Sequence, residues 1–206
     1  MSEHVVSERP DQPGPHRRSA LVVVDVQRDF CEGGSLGVAG GTRVARSVAE
    51  RLATEHGYDH VVATRDHHIV PGAHFSATPD YVDSWPPHCV VGTTGVELHD
   101  ALEPAAFESV FDKGEYAAAY SGFEGRDDRG QDLTGWLAER GVSQVHVCGI
   151  ATDHCVRATA LDAAASGFDT TVLLDLTAAV TPERLPETLR ALAEVGVQTS
   201  GELSRS

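Results

Sequence analysis

The chain is poor in sulfur and in aromatic rings: it has one methionine and four cysteines, and Phe, Trp and Tyr make up 6% of its 206 residues. Cys31, Cys89, Cys148 and Cys155 form no CxxC pair. A chain of this length can bury a core without disulfide staples, so the thiols are expected to be reduced and each must be explained singly. Basic side chains are scarce as well. Sixteen Lys and Arg stand against 31 Asp and Glu, a formal charge of −15, which repels phosphate backbones and anionic membrane surfaces and sets both aside as partners. No apolar run nears the roughly 20 residues that span a bilayer. The opening "MSEHVVSERPDQPGPHRRS" also lacks the apolar core of a secretion signal. The expectation is a cytoplasmic protein acting on a small molecule, as a monomer or a homo-oligomer.

A hydrophobic content of 41% suits one globular domain with a sizeable core. The polar, Pro-rich residues 1–18 are expected to form a flexible tail, and residues 19–206 a single domain. Within it, short β-branched apolar runs alternate with helical spacing. The runs are "ALVVVDV" (20–26), "HVVATRD" (60–66), "SVFDKG" (109–114), "QVHVCGI" (144–150) and "TTVLLDLT" (170–177). The helical patterns cover 42–57, 132–141, 153–167 and 183–196, and the closing "VQTSG" can add an edge strand. This predicts a three-layer αβα, Rossmann-like fold: a mostly parallel six-stranded sheet with helices on both faces.

In such sheets ligands sit beyond the carboxyl ends of the strands. Here those ends carry Asp25, Asp66, the pair Asp112 and Lys113, and the "GIATDHC" turn. One strand-end carboxylate is ordinarily a loop cap; a reactive group at every strand end is not. The irregular stretch 66–104 holds five of the eleven histidines, and structureless segments of this length are uncommon unless functional. Asp66 and His68, at i and i+2, face the same way as two ligands of one ion must, and His67 faces away. His74 and His88 lie on loops able to return to the same point. One carboxylate with two or three imidazoles suits one divalent ion, Zn²⁺, Fe²⁺ or Mn²⁺. Cys89 reads as a buried bystander beside this set.

Cys155 is expected in the first turn of a helix capped by Thr152 or Asp153, where the dipole favours thiolate and free N–H groups can hold an oxyanion. A base has to serve it. His154 points about a third of a turn away, whereas Asp25 comes from the neighbouring strand at the same rim and is the better placed. Lys113 supplies a cation to offset that carboxylate. Cys148, inside an apolar run, reads as core, and Cys31 as a packed or loop residue.

The strings "VVDVQRDFCEGGSL", "TRDHHIVPGAHFS", "WPPHCVVGT", "FDKGEYAAAYSGFEG" and "GIATDHCVRATALDA" run from about residue 20 to 180. Through them the chain resembles the nicotinamidase/pyrazinamidase family of isochorismatase-like cysteine hydrolases. The resemblance implies an isochorismatase-like fold and hydrolysis of nicotinamide to nicotinate and ammonia. It makes Asp25 the base and later the acid, Lys113 its electrostatic partner and Cys155 the nucleophile. It implies a cis peptide between Ile150 and Ala151, with the N–H groups of Ala151 and Cys155 facing the oxyanion. Asp66, His68 and His88 match metal ligands, with His74 a fourth position. Phe30, Trp85, Tyr120, Ile150 and Ala151 match residues around the substrate. Ala73 replaces an acidic residue common in the family before His74, which bears on how that ring is oriented. The competing readings are a related hydrolase of carbamoyl or ureido amides or of an isochorismate-type ether, and a non-catalytic metal or redox sensor using Cys155.

Overall fold

The computed structural model describes residues 17–54, 56–103 and 106–203. Six strands, β1 (Arg18–Val24), β2 (His60–Asp66), β3 (Ser109–Lys113), β4 (Val142–Ile150), β5 (Asp169–Ala178) and β6 (Gln198–Ser200), lie in the order β3-β2-β1-β4-β5-β6. Every pairing between them is parallel. The α-helices among the described residues are α1 (Gly41–Leu52), α2 (Leu133–Glu139), α3 (Cys155–Ala165) and α4 (Leu185–Glu194).

The unbroken apolar run of β1 follows from burial on both faces. Leu21 and Val23 pack with Val44, Ala45 and Val48 of α1. Ala20, Val22 and Val24 point the other way, into Leu133 and Leu137 of α2, Val156 and Ala160 of α3 and Leu192 of α4. Burying each such Val or Leu stabilises the fold by about 1.5–3 kcal/mol, so both layers are driven by the same strand.

The chain leaves β1 towards β2 and β3, then returns to add β4 on the other side of β1. That reversal opens a crevice at the carboxyl ends of β1 and β4, where ligands bind in open α/β sheets. Gly149 sets how close the two strands come. It pairs with Val24, and a Cβ on it would lie 2.0 Å from the Val24 carbonyl oxygen.

Several boundaries differ from the sequence pattern. Residues 1–16 of the expected tail lie outside the described residues, whereas Arg18 already belongs to β1 and donates to the Arg140 carbonyl at 2.9 Å. Helix α1 stops at Leu52, short of Gly57, where the Thr54 hydroxyl takes the Arg51 carbonyl. Strand β1 ends at Val24, so Asp25 is the first residue beyond it, at φ 50°. Asp is among the few residues that enter this left-handed region readily. Helix α3 is capped by His154, not by Thr152 or Asp153. The Asp153 carboxylate is instead occupied with the N–H groups of Val180 and Thr181, each at 2.9 Å.

Candidate active site

Strands β1, β2 and β3 each deliver one charge to a single buried point. Asp66 and Lys113 are register partners on β2 and β3, and their side chains form an ion pair from Lys113 Nζ to Asp66 Oδ1. The same ammonium lies 2.9 Å from Asp25 Oδ2 and 3.8 Å from Cys155 Sγ. Asp25 is completely buried and Lys113 is 2% exposed. Burial pushes the Asp25 carboxyl above its ordinary range, against the pull of Lys113. Burial would raise Asp66 too, but Lys113, with His68 and His88, outweighs it and holds that carboxyl well below the usual range. Burial disfavours charge on Lys113, yet Asp25 and Asp66 prevail and keep the ammonium charged well above its usual range.

Cys155 is the first residue of α3, at the positive end of the helix dipole. The dipole alone does not yield a thiolate. Burial pushes the thiol well up, with Lys113 opposing and Asp25 adding to the rise, so the sulfur holds its proton until a base takes it. The N–H groups of Thr152, His154 and Val156 are taken by carbonyls of Ala178 and Ala151. Among the described residues no backbone acceptor takes the N–H of Ala151 or Cys155, which leaves both free beside the sulfur. The Ile150–Ala151 peptide is cis.

The histidines of the irregular segment converge. Imidazole nitrogens of His68, His74 and His88 lie within 4.8 Å of one another, and all three rings are buried. His68 Nδ1 is 2.6 Å from the Gly114 carbonyl and His88 Nδ1 is 2.7 Å from the Pro86 carbonyl. Each ring therefore donates at Nδ1 and turns the Nε2 lone pair inward, as a metal-ligating His does. Those Nε2 atoms approach Asp66 Oδ2, at 3.5 Å from His68 and 3.7 Å from His88. His68 Nε2 and His74 Nδ1 are buried with no hydrogen-bond partner, as expected of donors made for an ion. Burial, aided by repulsion from His68 and His88, lowers His74 to about 4, so its lone pair is free at neutral pH. The residues present thus fit a divalent metal. His67 faces the other way, towards Glu115 at 3.4 Å, and Cys89 is buried outside the cluster.

A small pocket joins the two centres. Phe30, Trp85, Tyr120, Ile150 and Ala151 line it together with Asp66, His74, His88 and Cys155. The Trp85 indole donates to the Tyr120 hydroxyl at 3.1 Å, tying two of its aromatic walls. Its lining is almost wholly apolar apart from the reactive groups, which suits a flat aromatic ligand with few polar atoms.

The isochorismatase-domain family profile matches residues 19–202. The chain belongs to the isochorismatase family. Within that family it is 55% identical over 179 residues to the nicotinamidase/pyrazinamidase of Mycobacterium tuberculosis, covering 87% of this chain and 96% of that protein. The pyrazinamidase of Pyrococcus horikoshii in complex with zinc superposes with a TM-score of 0.76 at 37% identity, covering 89% of this chain and 98% of that one. PnC1 of L. infantum in complex with nicotinate superposes with a TM-score of 0.79 at 34% identity, covering 89% and 92%.

Some residues of this isochorismatase-family site escape sequence reasoning. Gln27 is fully buried: its amide donates to the carbonyls of Asp66 and Val96, each at 2.8 Å, and accepts from the Asp66 N–H at 2.8 Å. It stands in for the ladder partner that β1 no longer provides past Val24, and so fixes the backbone of Asp66. The Thr64 hydroxyl donates to Asp25 Oδ1 at 2.6 Å. Leu36, Val38, Ala119, His154 and Val180 complete the pocket wall. A Gln directly after the apolar run 20–26 is the available signal for the first; a Thr inside a strand gives none. The remaining thiols are buried outside the pocket lining: burial raises Cys89 and Cys148, and with Glu32 pushes Cys31 up to about 12.

Proposed function

We propose that this chain is an amidohydrolase that converts nicotinamide to nicotinate and ammonia, and pyrazinamide to pyrazinoate, through a thioester on Cys155, as a step of NAD salvage. The observation that carries this reading is one apolar pocket lined by Cys155, behind which Lys113 and Asp25 lie, and by His74 and His88 of the three convergent histidines. Nicotinamide has the matching shape: a flat ring with a ring nitrogen on one side and a carboxamide on the other.

Asp66, His68, His74 and His88 would hold one Zn²⁺, Fe²⁺ or Mn²⁺, which when bound supplies a Lewis-acid anchor for the ring nitrogen, directly or through water. Phe30, Trp85 and Tyr120 hold the ring and set the amide carbon over Cys155. Asp25 takes the thiol proton, and sulfur bonds to the amide carbon. The N–H groups of Ala151 and Cys155 stabilise the oxyanion. Asp25 then gives its proton to the departing nitrogen. A water deprotonated by Asp25 attacks the thioester, and nicotinate leaves. Lys113 keeps the two carboxylates and the developing thiolate in one dry site. All four cysteines are free, which fits a reducing cytoplasm, and no described helix is long and apolar enough to cross a membrane.

The test is ammonia release from nicotinamide by the purified protein, with metal content measured on the same sample. Turnover is expected, together with about one divalent ion per chain. Chelation should lower turnover and added metal restore it; unchanged activity after verified removal would reject the positioning role of the ion. Hydrolysis of carbamoyl substrates without nicotinamide would favour the related amide hydrolase instead.

The pH profile offers a second check. Asp25 must be ionised to accept the thiol proton, and burial raises it from the ordinary 3.8. The acid limb of kcat/KM is therefore expected above that value. A profile still flat at pH 3.8, in protein shown to be folded, would remove Asp25 as the base.

A further inference from the structure

Asp25 has two carboxylate oxygens, and the structure treats them differently. Oδ1 accepts the Thr64 hydroxyl at 2.6 Å, while the Asp25 N–H donates back to the Thr64 carbonyl at 3.1 Å. Oδ2 forms the ion pair with the Lys113 ammonium at 2.9 Å. Thr64 is itself fully buried on β2. Its methyl group packs against Gly122, where a Cβ would come within 2.6 Å of Thr64 Cγ2. The Gly122 N–H is anchored on the Thr159 hydroxyl at 2.9 Å, and the turn around it is closed by a reciprocal Ser121–Glu124 capping box. The Thr64 side chain is thus locked in the rotamer that aims its hydroxyl at Oδ1.

We propose that Thr64 is a positioning residue that assigns proton transfer to a single oxygen, Oδ2 of Asp25. This rests on the thioester reading above. A carboxylate free to rotate presents either oxygen; one whose Oδ1 is tied to the Thr64 hydroxyl keeps Oδ2 turned to the ammonium that also lies 3.8 Å from Cys155 Sγ. The proton of Cys155 Sγ moves to Oδ2 as sulfur bonds to the amide carbon. Oδ2 returns it to nitrogen as the C–N bond breaks. In the second half, Oδ2 takes a proton from water as its oxygen bonds to the thioester carbon, and hands it back to sulfur as the C–S bond breaks. Every transfer uses one fixed oxygen, and Thr64 never touches the substrate.

The experiment compares the metal-loaded protein with its Thr64→Val and Thr64→Ser variants. Two readouts are taken: steady-state ammonia release from nicotinamide, and the rate of iodoacetamide alkylation at Cys155 read by peptide mass spectrometry. In Thr64→Val, kcat is expected to fall about tenfold or more with KM within about twofold, because only the proton carrier is disturbed. Alkylation should move the other way and rise a few fold. Losing a hydrogen bond to the ionised carboxylate makes that carboxylate hold a proton more strongly, which draws the proton off sulfur. Thr64→Ser, which keeps the hydroxyl, should return both readouts towards the unaltered protein. Turnover of Thr64→Val within about twofold of the unaltered protein would overturn the proposal, as would turnover and alkylation falling together, the mark of a merely loosened site. A Ser variant as impaired as Val would do the same. If the unaltered protein releases no ammonia from nicotinamide, the substrate reading fails separately, and the opposed alkylation of Val and Ser still decides the role of Thr64.

Discussion

Cys155→Ala is expected to lower ammonia release from nicotinamide by on the order of 1000-fold or more while leaving the metal content unchanged. On the proposed mechanism the nucleophile is the one part of the site with no neighbour able to replace it. Cys31, Cys89 and Cys148 are buried elsewhere, with thiols pushed up by burial. Asp25 is a weak base facing Lys113, suited to taking a proton from sulfur 3.8 Å from that ammonium and to assisting water against the reactive thioester, but not to driving water directly onto an unactivated amide. The N–H groups of Ala151 and Cys155 belong to the backbone and survive the substitution, so residual catalysis comes from them and from ring binding. The histidine cluster is built on the segment that follows β2, through His68, His74 and His88, and none of these residues lies on α3. Metal analysis on the variant therefore separates the two halves of the pocket. Activity near that of the unaltered protein would dismiss Cys155 as nucleophile, and loss of metal along with activity would mean that the two halves fold as one.

Much of this site could be read before any coordinates, for physical reasons that can be named. Strand β1 announces itself because both of its faces are buried, so Leu21, Val22, Val23 and Val24 must all be apolar. The parallel β/α order then carries Asp25, Asp66, Lys113 and Cys155 to one rim by topology alone. Asp66 and His68 were paired by the period of a strand, a local rule. His74 and His88 stand out by their chemistry alone, as no periodicity places a loop. What stayed hidden is what depends on three-dimensional neighbours. Thr64 has the β-branched form that any buried strand position favours, and only its distance to Asp25 separates it from packing. The true cap of α3 was obscured because Asp153, a favoured cap residue, is drawn to Val180 and Thr181, 27 and 28 residues further on. Leu36, Val38 and Val180 line the pocket from loops whose paths a pattern of residues does not specify.

Lys113→Met is expected to destabilise the protein by about 3–5 kcal/mol and to abolish turnover, because it removes the one cation between two buried carboxylates. Asp25 and Asp66 are 0% and 3% exposed, and Lys113 pairs with both. The pH dependence distinguishes this from an ordinary packing defect. In the unaltered protein Asp66 is held below its ordinary 3.8, so its contribution to stability is present above that value and lost as pH falls through the lower folded one. Lys113 is held above its ordinary 10.5. Its contribution is complete below that value and lost as pH rises through the folded one. Asp25, raised by burial, works in the opposite sense to Asp66 and favours the fold on acidification. With the lysine gone, desolvation weighs more on both carboxylates: Asp25 loses the cation that opposes it, Asp66 keeps only His68 and His88, and both pKa values rise. Thermal stability of Lys113→Met should therefore increase as pH is lowered from about 7 to about 5, with a slope steeper than that of the unaltered protein. A divalent ion held by Asp66 and the histidines would replace part of the missing charge, so the loss should be larger in chelator than in the metal-loaded protein. A variant whose stability deficit is the same at both pH values, and the same with and without metal, would show that Lys113 contributes packing and not charge.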